Sequence, residues 1–457
     1  MEGSKKIVLF FPAFGSGGAT TPLSLLAIST PLLRAGYKVI LIDSAITPHP
    51  QQRILDEVKD ALCLGISLVT GPMIRETIAI SRAVKAWNPD FPVILGGWHP
   101  SFLPIETLAA PYVDMVVRGQ GESALLEVVQ RLESGMSVDD VDSVGFKQDG
   151  KLIFNPDRPL RSIVEAPPKA YHLADFDAYQ RAFGRRWAAY ISSLACPFDC
   201  SYCTNVAFYG PRWTALPAGQ VVEETHDLAT RYRVEKLRMV DDNFLFDRQR
   251  ALRIAEGLVR VGARFQWSIQ TTTSLTARLS EEELNLLRRA GLCQIWQEAQ
   301  SASPQFQKLM KKSSQNVDDI YQAAERCLTA GIRPSFNTTV GYPGEGLEER
   351  HHAINFINDV CRRNPGAEFW TNVFAPYPGS PIMRRVKQLG IEVPNSLEEW
   401  ADYFPRCTTL PWLPEKDKAK GVGDTDVFIP LEKSTDDSLG LGVGTRFQMV
   451  DHAPFAF

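Results

Sequence analysis

The sequence is poor in positive charge for its size. Its 49 lysines and arginines against 53 aspartates and glutamates leave a net charge of -4 over 457 residues. That balance argues against nucleic acid or an anionic membrane as partner, since either demands a basic face. Long apolar runs are also missing, and nothing approaches the roughly 20 residues of a membrane span. The apolar start at Ile7–Phe11 is cut short by Pro12 and by Gly15-Ser16-Gly17-Gly18, so it reads as a first strand and not as a secretory leader. No internal repeat of solenoid period is present. No Ser-His-Asp order and no paired carboxylates of glycosidase type stand out, which leaves hydrolytic chemistry without its groups. Cysteine is sparse as well, with eight residues (63, 196, 200, 203, 293, 327, 361 and 407). Five are scattered among apolar neighbours, as buried thiols are, and a disulfide framework is not implied. The expectation is a cytoplasmic protein that meets a small molecule, with no nucleic acid and no membrane span.

What is present is a regular alternation. Strand patterns at Ile7–Phe11, Val39–Ile42, Ala61–Ser67, Val93–Leu95 and Met115–Val117 are separated by helical patterns near Leu23–Leu33, Gln51–Asp60, Ile74–Trp87 and Ile105–Ala110, and Ser123–Leu132 follows the last. Five βα units in a row predict a doubly wound, Rossmann-like parallel sheet over residues 1–135, with its ligands at the carboxyl ends of the strands. Glycine-bearing loops fall at those ends: Gly15-Ser16-Gly17-Gly18, Thr70-Gly71-Pro72, Gly96-Gly97-Trp98-His99-Pro100 and Gly119-Gln120-Gly121-Glu122. Tight turns explain any one of them. Four together suit a large flat ligand. A dinucleotide fingerprint is not met, because Thr20 stands where it needs glycine.

Residues 136–188 are less regular and read as a hairpin and linker. A second βα series then begins, at Ala189–Ser193, Lys236–Val240, Trp267–Gln270, Gln294–Trp296, Ser335–Val340 and Glu368–Phe374. It predicts a six-stranded partial α/β barrel over 189–385, with its chemistry at the C-terminal ends of the strands. Residues 386–457 form a C-terminal segment with no assigned structure.

Directly after the first strand of that series comes Cys196-Pro197-Phe198-Asp199-Cys200-Ser201-Tyr202-Cys203. A structural zinc site takes four ligands. The nearest other candidates, His172 and His226, lie at no standard spacing from the triad. A [4Fe-4S] cluster held by three cysteines instead leaves one iron open to a cofactor or substrate.

With its aromatic Tyr202 before the last cysteine, the spacing C-x3-C-x-aromatic-C resembles the fingerprint of the radical S-adenosylmethionine (SAM) superfamily. The resemblance implies that Cys196, Cys200 and Cys203 ligate the cluster and that SAM chelates the open iron. Cleavage of SAM then yields a 5′-deoxyadenosyl radical. It further implies SAM contacts from Tyr202, from Asp242 and Asn243 in Asp241-Asp242-Asn243-Phe244, from Glu298, Gln300 and Ser301 at the fourth barrel strand, and from Asn337 on the fifth. Relatives often carry Glu-Ser-Gly-Ser where this chain has Gln300-Ser301-Ala302-Ser303, so which fourth-strand residue touches SAM stays open. The run Asp241–Asn243 is equally an N-cap for the helix that follows.

The resemblance extends to the first 135 residues. Pro22-Leu23, Gly36, Val39, Asp43, Gly96-Gly97-x-His99-Pro100 and Gly119-x-Gly121-Glu122 look like the cobalamin-binding half of B12-dependent radical SAM enzymes. It implies cobalamin contacts from Gly15, Pro22, Leu23, Ser67, Thr70, Gly71, Gly96, Gly97, His99, Gly119, Gly121 and Glu122. The D-x-H-x-x-G cobalt-ligand motif is absent, since Asp43 is followed only by the distant His49. His99, before Pro100, is expected to pack beneath the cofactor's nucleotide tail or to cap a turn. Methylthiotransferases share only the barrel, because their first half needs three further cysteines and this one has Cys63 alone.

The implied function is methyl transfer from methylcobalamin to an unactivated carbon or phosphorus centre. Non-methylating chemistry, an oxidative cyclase or a ring-contracting oxidoreductase, is the alternative, and a non-catalytic corrinoid or metal-binding module is the third. The implied partners are a natural-product, tetrapyrrole or peptide substrate and an electron donor such as flavodoxin or ferredoxin. Substrate contacts fall among Trp213, Trp267, Trp296, Trp370, Tyr377, Trp400, Tyr403 and Trp412, without a charge pattern that names a ligand, and Arg212 is either an anion contact or a surface residue.

Overall fold

A computed structural model describes residues 5–14, 21–312 and 315–403. The chain divides into two compact units, one of Met1–Ala189 joined by residues 394–403, the other of Tyr190–Val393, so the division falls inside a strand.

The first unit is built on seven strands: β1 (Lys6–Phe11), β2 (Lys38–Asp43), β3 (Leu64–Ser67), β4 (Val93–Gly96), β5 (Met115–Val117), β6 (Val144–Gln148) and β7 (Lys151–Phe154). Their order is β2-β1-β3-β4-β5-β6-β7. The first five pair in parallel, and β6 and β7 add antiparallel. The central strands are buried almost throughout, as sheets covered on both faces must be. Ile7, Leu9 and Ile94 share a core with Leu25, Leu32, Val128 and Val129 from the helices Leu23–Arg34 and Gly121–Ser134. The chain reverses its winding between β1 and β3, which puts the crevice of a doubly wound sheet at the carboxyl ends of those two strands. The hairpin expected within the linker forms, but it does not stand apart. It is the antiparallel edge of this sheet, because Val144 and Phe146 face the same core.

The segment after residue 385 is also not one piece. Its residues 394–403 belong to the first unit, where Glu398 accepts hydrogen bonds from Tyr112 Oη at 2.8 Å and from Arg82 at 2.8 Å, and Trp400 is wholly buried. The residues beyond 403, Cys407 and Trp412 among them, lie outside the described residues.

The second unit carries a sheet ordered β15-β14-β13-β12-β11-β8, with β8 (Trp187–Tyr190), β11 (Lys236–Met239), β12 (Gln266–Thr272), β13 (Leu292–Gln300), β14 (Arg333–Val340) and β15 (Glu368–Val373). Strands β11 to β15 pair in parallel. Phe336 and Phe369 of its outer face pack on Ile320, Ala324 and Ile357 of the helices Val317–Thr329 and Leu347–Arg363. One expected strand is broken. Ala189–Ser193 does not run through: β8 ends at Tyr190, and β9 (Ser193–Leu194) pairs antiparallel with β10 (Thr214–Ala215) in a separate ribbon. Among the described residues no helix is long and apolar enough to cross a membrane.

Two positions test the first unit. Gly97 has φ +97, and a Cβ there would lie 2.6 Å from the Leu68 carbonyl, whereas a Cβ on Gly121 would meet Val117 at an ordinary 3.5 Å. Gly97→Ala should therefore lower the unfolding free energy by about 3 kcal/mol and Gly121→Ala by under about 1 kcal/mol, read from denaturant titrations. Burial holds the Asp43 carboxyl up at about 6 despite hydrogen bonds from Tyr179 and the Ala45 amide, with Glu76 adding to the rise. A raised folded pKa gives stability that is present below the unfolded value near 3.9 and lost as pH climbs through about 6. Asp43→Asn should escape that loss, so its stability relative to wild type should improve by about 2–3 kcal/mol between pH 4 and pH 7. A pH-independent difference would contradict this.

Candidate active site

The cysteine loop lies in the second unit, and its path is set by three successive polar residues after β11. Asp241 is wholly buried, and its carboxylate accepts from the Ser192 amide at 3.2 Å, Ser192 Oγ at 2.6 Å and Ser193 Oγ at 2.5 Å. Arg250 supplies the countercharge and donates to the carbonyls of Leu216 at 2.8 Å and Ser192 at 2.9 Å. These bonds pull Ser192 and Ser193 off the β8 line, which is why the expected strand ends early. Asp242 takes the Ala195 amide and the Asn205 side chain, and Ala195 sits at φ +68, a left-handed turn that carries the chain into Cys196. Asn243 Nδ2 lies 4.0 Å from Cys196 Sγ, with its Oδ1 accepting from Thr271 Oγ1 at 2.7 Å.

The far side of the loop is fastened as well. Ser201 donates its amide to the Met310 carbonyl at 3.1 Å and accepts the Ile382 amide at 2.9 Å, and its hydroxyl lies 2.8 Å from Tyr342 Oη. Asp199 pairs with Lys311 at 2.8 Å. Tyr202 packs against the apolar cluster that contains Phe306, Met310 and Tyr342, and its hydroxyl bonds Cys200.

The three thiols share one electrostatic environment, Cys196 and Cys200 both raising the Cys203 pKa. Burial pushes Cys196 up to about 11 and Cys203 further, while Lys312 draws Cys200 back down. Lys312 is only 6% exposed, donates to the Glu298 carbonyl, and feels all three thiols and Glu298. Among the described residues, no three Cys, His, Asp or Glu side chains converge on a point that a single metal ion could fill. Three thiols from one short loop, with the buried cation Lys312 beside them, suit an anionic cluster held by three cysteines.

At the end of β13 the register shifts between Glu298 and Gln300, and Gln300 sits at φ +58. Two apart on the strand, both side chains face the same way, and the shift brings them closer in level. Glu298 accepts from Asn337 Nδ2 at 2.7 Å, Gln270 Nε2 at 3.3 Å and Gln300 Nε2, and Gln300 in turn accepts from Thr339 at 2.8 Å. Ser301 is engaged locally, its Oγ accepting the Ser303 amide at 3.1 Å. The Oδ1 atoms of Asn337 and Asn205 are buried with no hydrogen-bond partner, as groups that await a ligand would be. The residues singled out from the sequence thus form two sets, Cys196–Cys203 with Asp242 and Asn243, and Glu298 with Gln300 and Asn337. Lys312 joins them.

The rim of the first unit is a chain of bonds between loops. Ser67 Oγ donates to Ser24 Oγ at 3.0 Å, the Leu68 amide to the Gly96 carbonyl at 3.0 Å, Ser101 Oγ to the Gly97 carbonyl at 2.7 Å, and the Gly119 amide to Ser101 Oγ at 3.0 Å. Pro22 and Leu23 are buried where the helix Leu23–Arg34 begins, Gly71 turns at φ +113, and Gly121 and Glu122 open the helix Gly121–Ser134. Gly15 lies outside the described residues. His99 does not lie open on this rim. It is wholly buried, with Nδ1 2.9 Å from Thr70 Oγ1, its ring edge-on to Trp400 at 6.0 Å, and its pKa pressed by burial to about 3, so the imidazole is neutral.

A parallel six-stranded open barrel bearing a three-cysteine loop, in one chain with a 2-1-3-4-5 parallel sheet, defines the class. Residues 190–357 match the Radical SAM superfamily and residues 14–129 match the B12 binding domain. The chain belongs to the radical SAM enzymes that carry a B12 binding domain. It is 27% identical over 389 residues to an uncharacterised methyltransferase of Pyrococcus horikoshii, covering 82% of each chain. It is 24% identical to the anaerobic magnesium-protoporphyrin IX monomethyl ester cyclase of Rubrivivax gelatinosus, over 83% of this chain and 70% of that one. Its fold matches the radical SAM methyltransferase TsrM of Kitasatospora setae, solved with cobalamin and a [4Fe-4S] cluster bound, with TM-score 0.70, 16% identity, and 86% of this chain and 76% of that one covered.

Removal of the Asp241 carboxylate strands three donors and a buried arginine. Asp241→Ala should lower the unfolding free energy by about 3–5 kcal/mol and reduce the iron retained after anaerobic reconstitution. Wild-type values for both would contradict its role.

Proposed function

We propose that the chain is a cobalamin-dependent radical SAM methyltransferase acting on an unactivated carbon or phosphorus centre of a small molecule. The observation that carries this is the loop of three half-buried, electrostatically coupled thiols, fixed at both ends and flanked by Lys312 and the Glu298 network. When bound, the cluster and SAM supply a carbon radical, and cobalamin supplies the methyl group. Cys196, Cys200 and Cys203 would hold the cluster, with Asn243 and Tyr202 donating toward its sulfur ligands and Lys312 balancing its negative charge. Asp242, Glu298, Gln300, Ser301 and Asn337 are the groups placed to meet SAM, and the carboxylate of Glu298, already oriented by three donors, needs no reorganisation to accept another. The rim of the first sheet, from Ser67 to Glu122, would take cobalamin, with His99 serving as a neutral packing group and not as a cobalt ligand. A flavodoxin or ferredoxin would deliver the electron.

Methyl transfer is favoured by a relative that matches over 82% of each chain and is named a methyltransferase. Oxidative cyclisation is the second reading, supported by the similarity to the cyclase. The two separate without knowledge of the substrate. The chain reconstituted anaerobically with iron, sulfide and hydroxocobalamin, then given SAM and a one-electron reductant, should release S-adenosylhomocysteine with a matching change in the corrin's absorption. Release of 5′-deoxyadenosine without S-adenosylhomocysteine would favour the cyclase reading and sink methyl transfer. The variant with Cys196, Cys200 and Cys203 all changed to Ala should form no 5′-deoxyadenosine.

A further inference from the structure

The linker after the first sheet climbs the helix Leu23–Arg34 from its C-terminal part to its start. Thr30 Oγ1 donates to the Pro168 carbonyl at 2.5 Å, the Ala170 amide to the Leu26 carbonyl at 3.0 Å, and the Ala189 amide to Thr21 Oγ1 at 3.0 Å, just ahead of that helix. A helix that follows β1 begins at the carboxyl end of that strand, so the climb ends at the mouth of the crevice. On the way, the helix Phe176–Phe183 lies against the carboxyl end of β2, where Tyr179 bonds Asp43. Gly184, at φ +67, ends this helix and turns the chain into Arg185. The guanidinium carbon of Arg185 lies 4.1 Å from the Trp187 ring centroid and 5.9 Å from that of Phe183. Its neighbours Arg181 and Arg186 pair with Asp175 and Asp177. Arg185 itself, partly exposed, has no ion pair or hydrogen bond among the described residues, and its Nε is buried without an acceptor.

A cation drawn partly out of water with no partner is unfavourable, and burial here brings its pKa below the ordinary guanidinium value. The flat contact with Trp187 holds the group in one plane and leaves its outer N–H donors to fork onto an oxyanion. Cobalamin brings one such group of its own, the phosphodiester that joins the corrin to its nucleotide. The loops of the rim do not neutralise it. They offer hydroxyls, amides, the neutral His99 and the carboxylate of Glu122, and the adjacent Arg118 is already paired with Asp157 at 2.5 Å. We propose that Arg185, held on Trp187, binds the phosphodiester of cobalamin, so that the cofactor's seat extends past the matched residues 14–129 into the linker. The inference rests on the functional reading above, which gives cobalamin to this rim.

The test titrates the full chain, anaerobically reconstituted, with hydroxocobalamin and with hydroxocobinamide, the same corrin without phosphodiester and base, by quenching of tryptophan fluorescence. R185Q should weaken hydroxocobalamin about ten-fold or more, the loss expected of a charge-assisted hydrogen bond, and leave hydroxocobinamide within about two-fold of wild type. R185K should keep part of the affinity that R185Q loses. An unchanged affinity of R185Q for hydroxocobalamin would overturn the proposal. So would an equal loss for both corrinoids, because the contribution would then not lie with the phosphodiester. Wild type itself separates the two readings: if it binds hydroxocobalamin and R185Q shows no selective loss, the assignment of Arg185 alone fails, whereas a wild type that binds neither corrinoid sinks the functional reading and the assignment with it.

Discussion

The cysteine loop depends on one buried carboxylate. Asp241 gathers an amide and two hydroxyls from Ser192 and Ser193, and Arg250 ties the same stretch through its carbonyl. A charge so deep in the protein persists only with such a shell of partners. The consequence reaches well beyond stability. By bending the chain away from β8, Asp241 starts the ribbon β9–β10 and delivers Ala195 into the left-handed turn that precedes Cys196. The adjacent Asp242 and Asn243 continue the same task, one on the Ala195 amide and one beside the first thiol.

A second polar centre answers the first from the other side of the sheet. The bulge at Glu298 brings two consecutive inward residues of β13 to one level, so that a single carboxylate collects donors from β12, β13 and β14. The carbonyls exposed by the bulge are capped in turn by Lys312, Gln315 and Gln307. The turn that carries Lys312 also receives Ser201 of the cysteine loop on the Met310 carbonyl. Loop, bulge and turn thus constrain one another, and the outer apolar face of the sheet, with Phe336 and Phe369 on Ile320 and Ile357, holds the frame.

Local patterns were legible in the sequence and long-range ones were not. The thiol spacing, the five parallel strands of the first unit and the second βα series are short-range signals of period and turn, and each can be read from a window of a few residues. Asp241 was hidden because its partners lie about fifty residues earlier, and because the motif Asp241–Asn243 also reads as a helix cap. Lys312 was hidden inside Lys311-Lys312, a pair that looks like a solvated surface, yet one member pairs with Asp199 while the other is buried among thiols. The aromatics gave no ligand pattern in the sequence because strand register separates them: Trp267 is wholly buried and bonds the Ala290 carbonyl, whereas Trp296 and Trp370 line the opposite face. Likewise, His99 reads as a loop residue until the pairing with Thr70 and Trp400 shows it inside.

We propose that Cys196, Cys200 and Cys203, with no fourth protein ligand, hold a cluster with one open iron. The most direct measurement is electron paramagnetic resonance of the reduced, anaerobically reconstituted chain before and after SAM is added, with iron counted on the same sample. About four irons per chain and a signal that shifts on addition of SAM are the predicted result. A zinc-only protein, or an iron–sulfur signal indifferent to SAM, would contradict it.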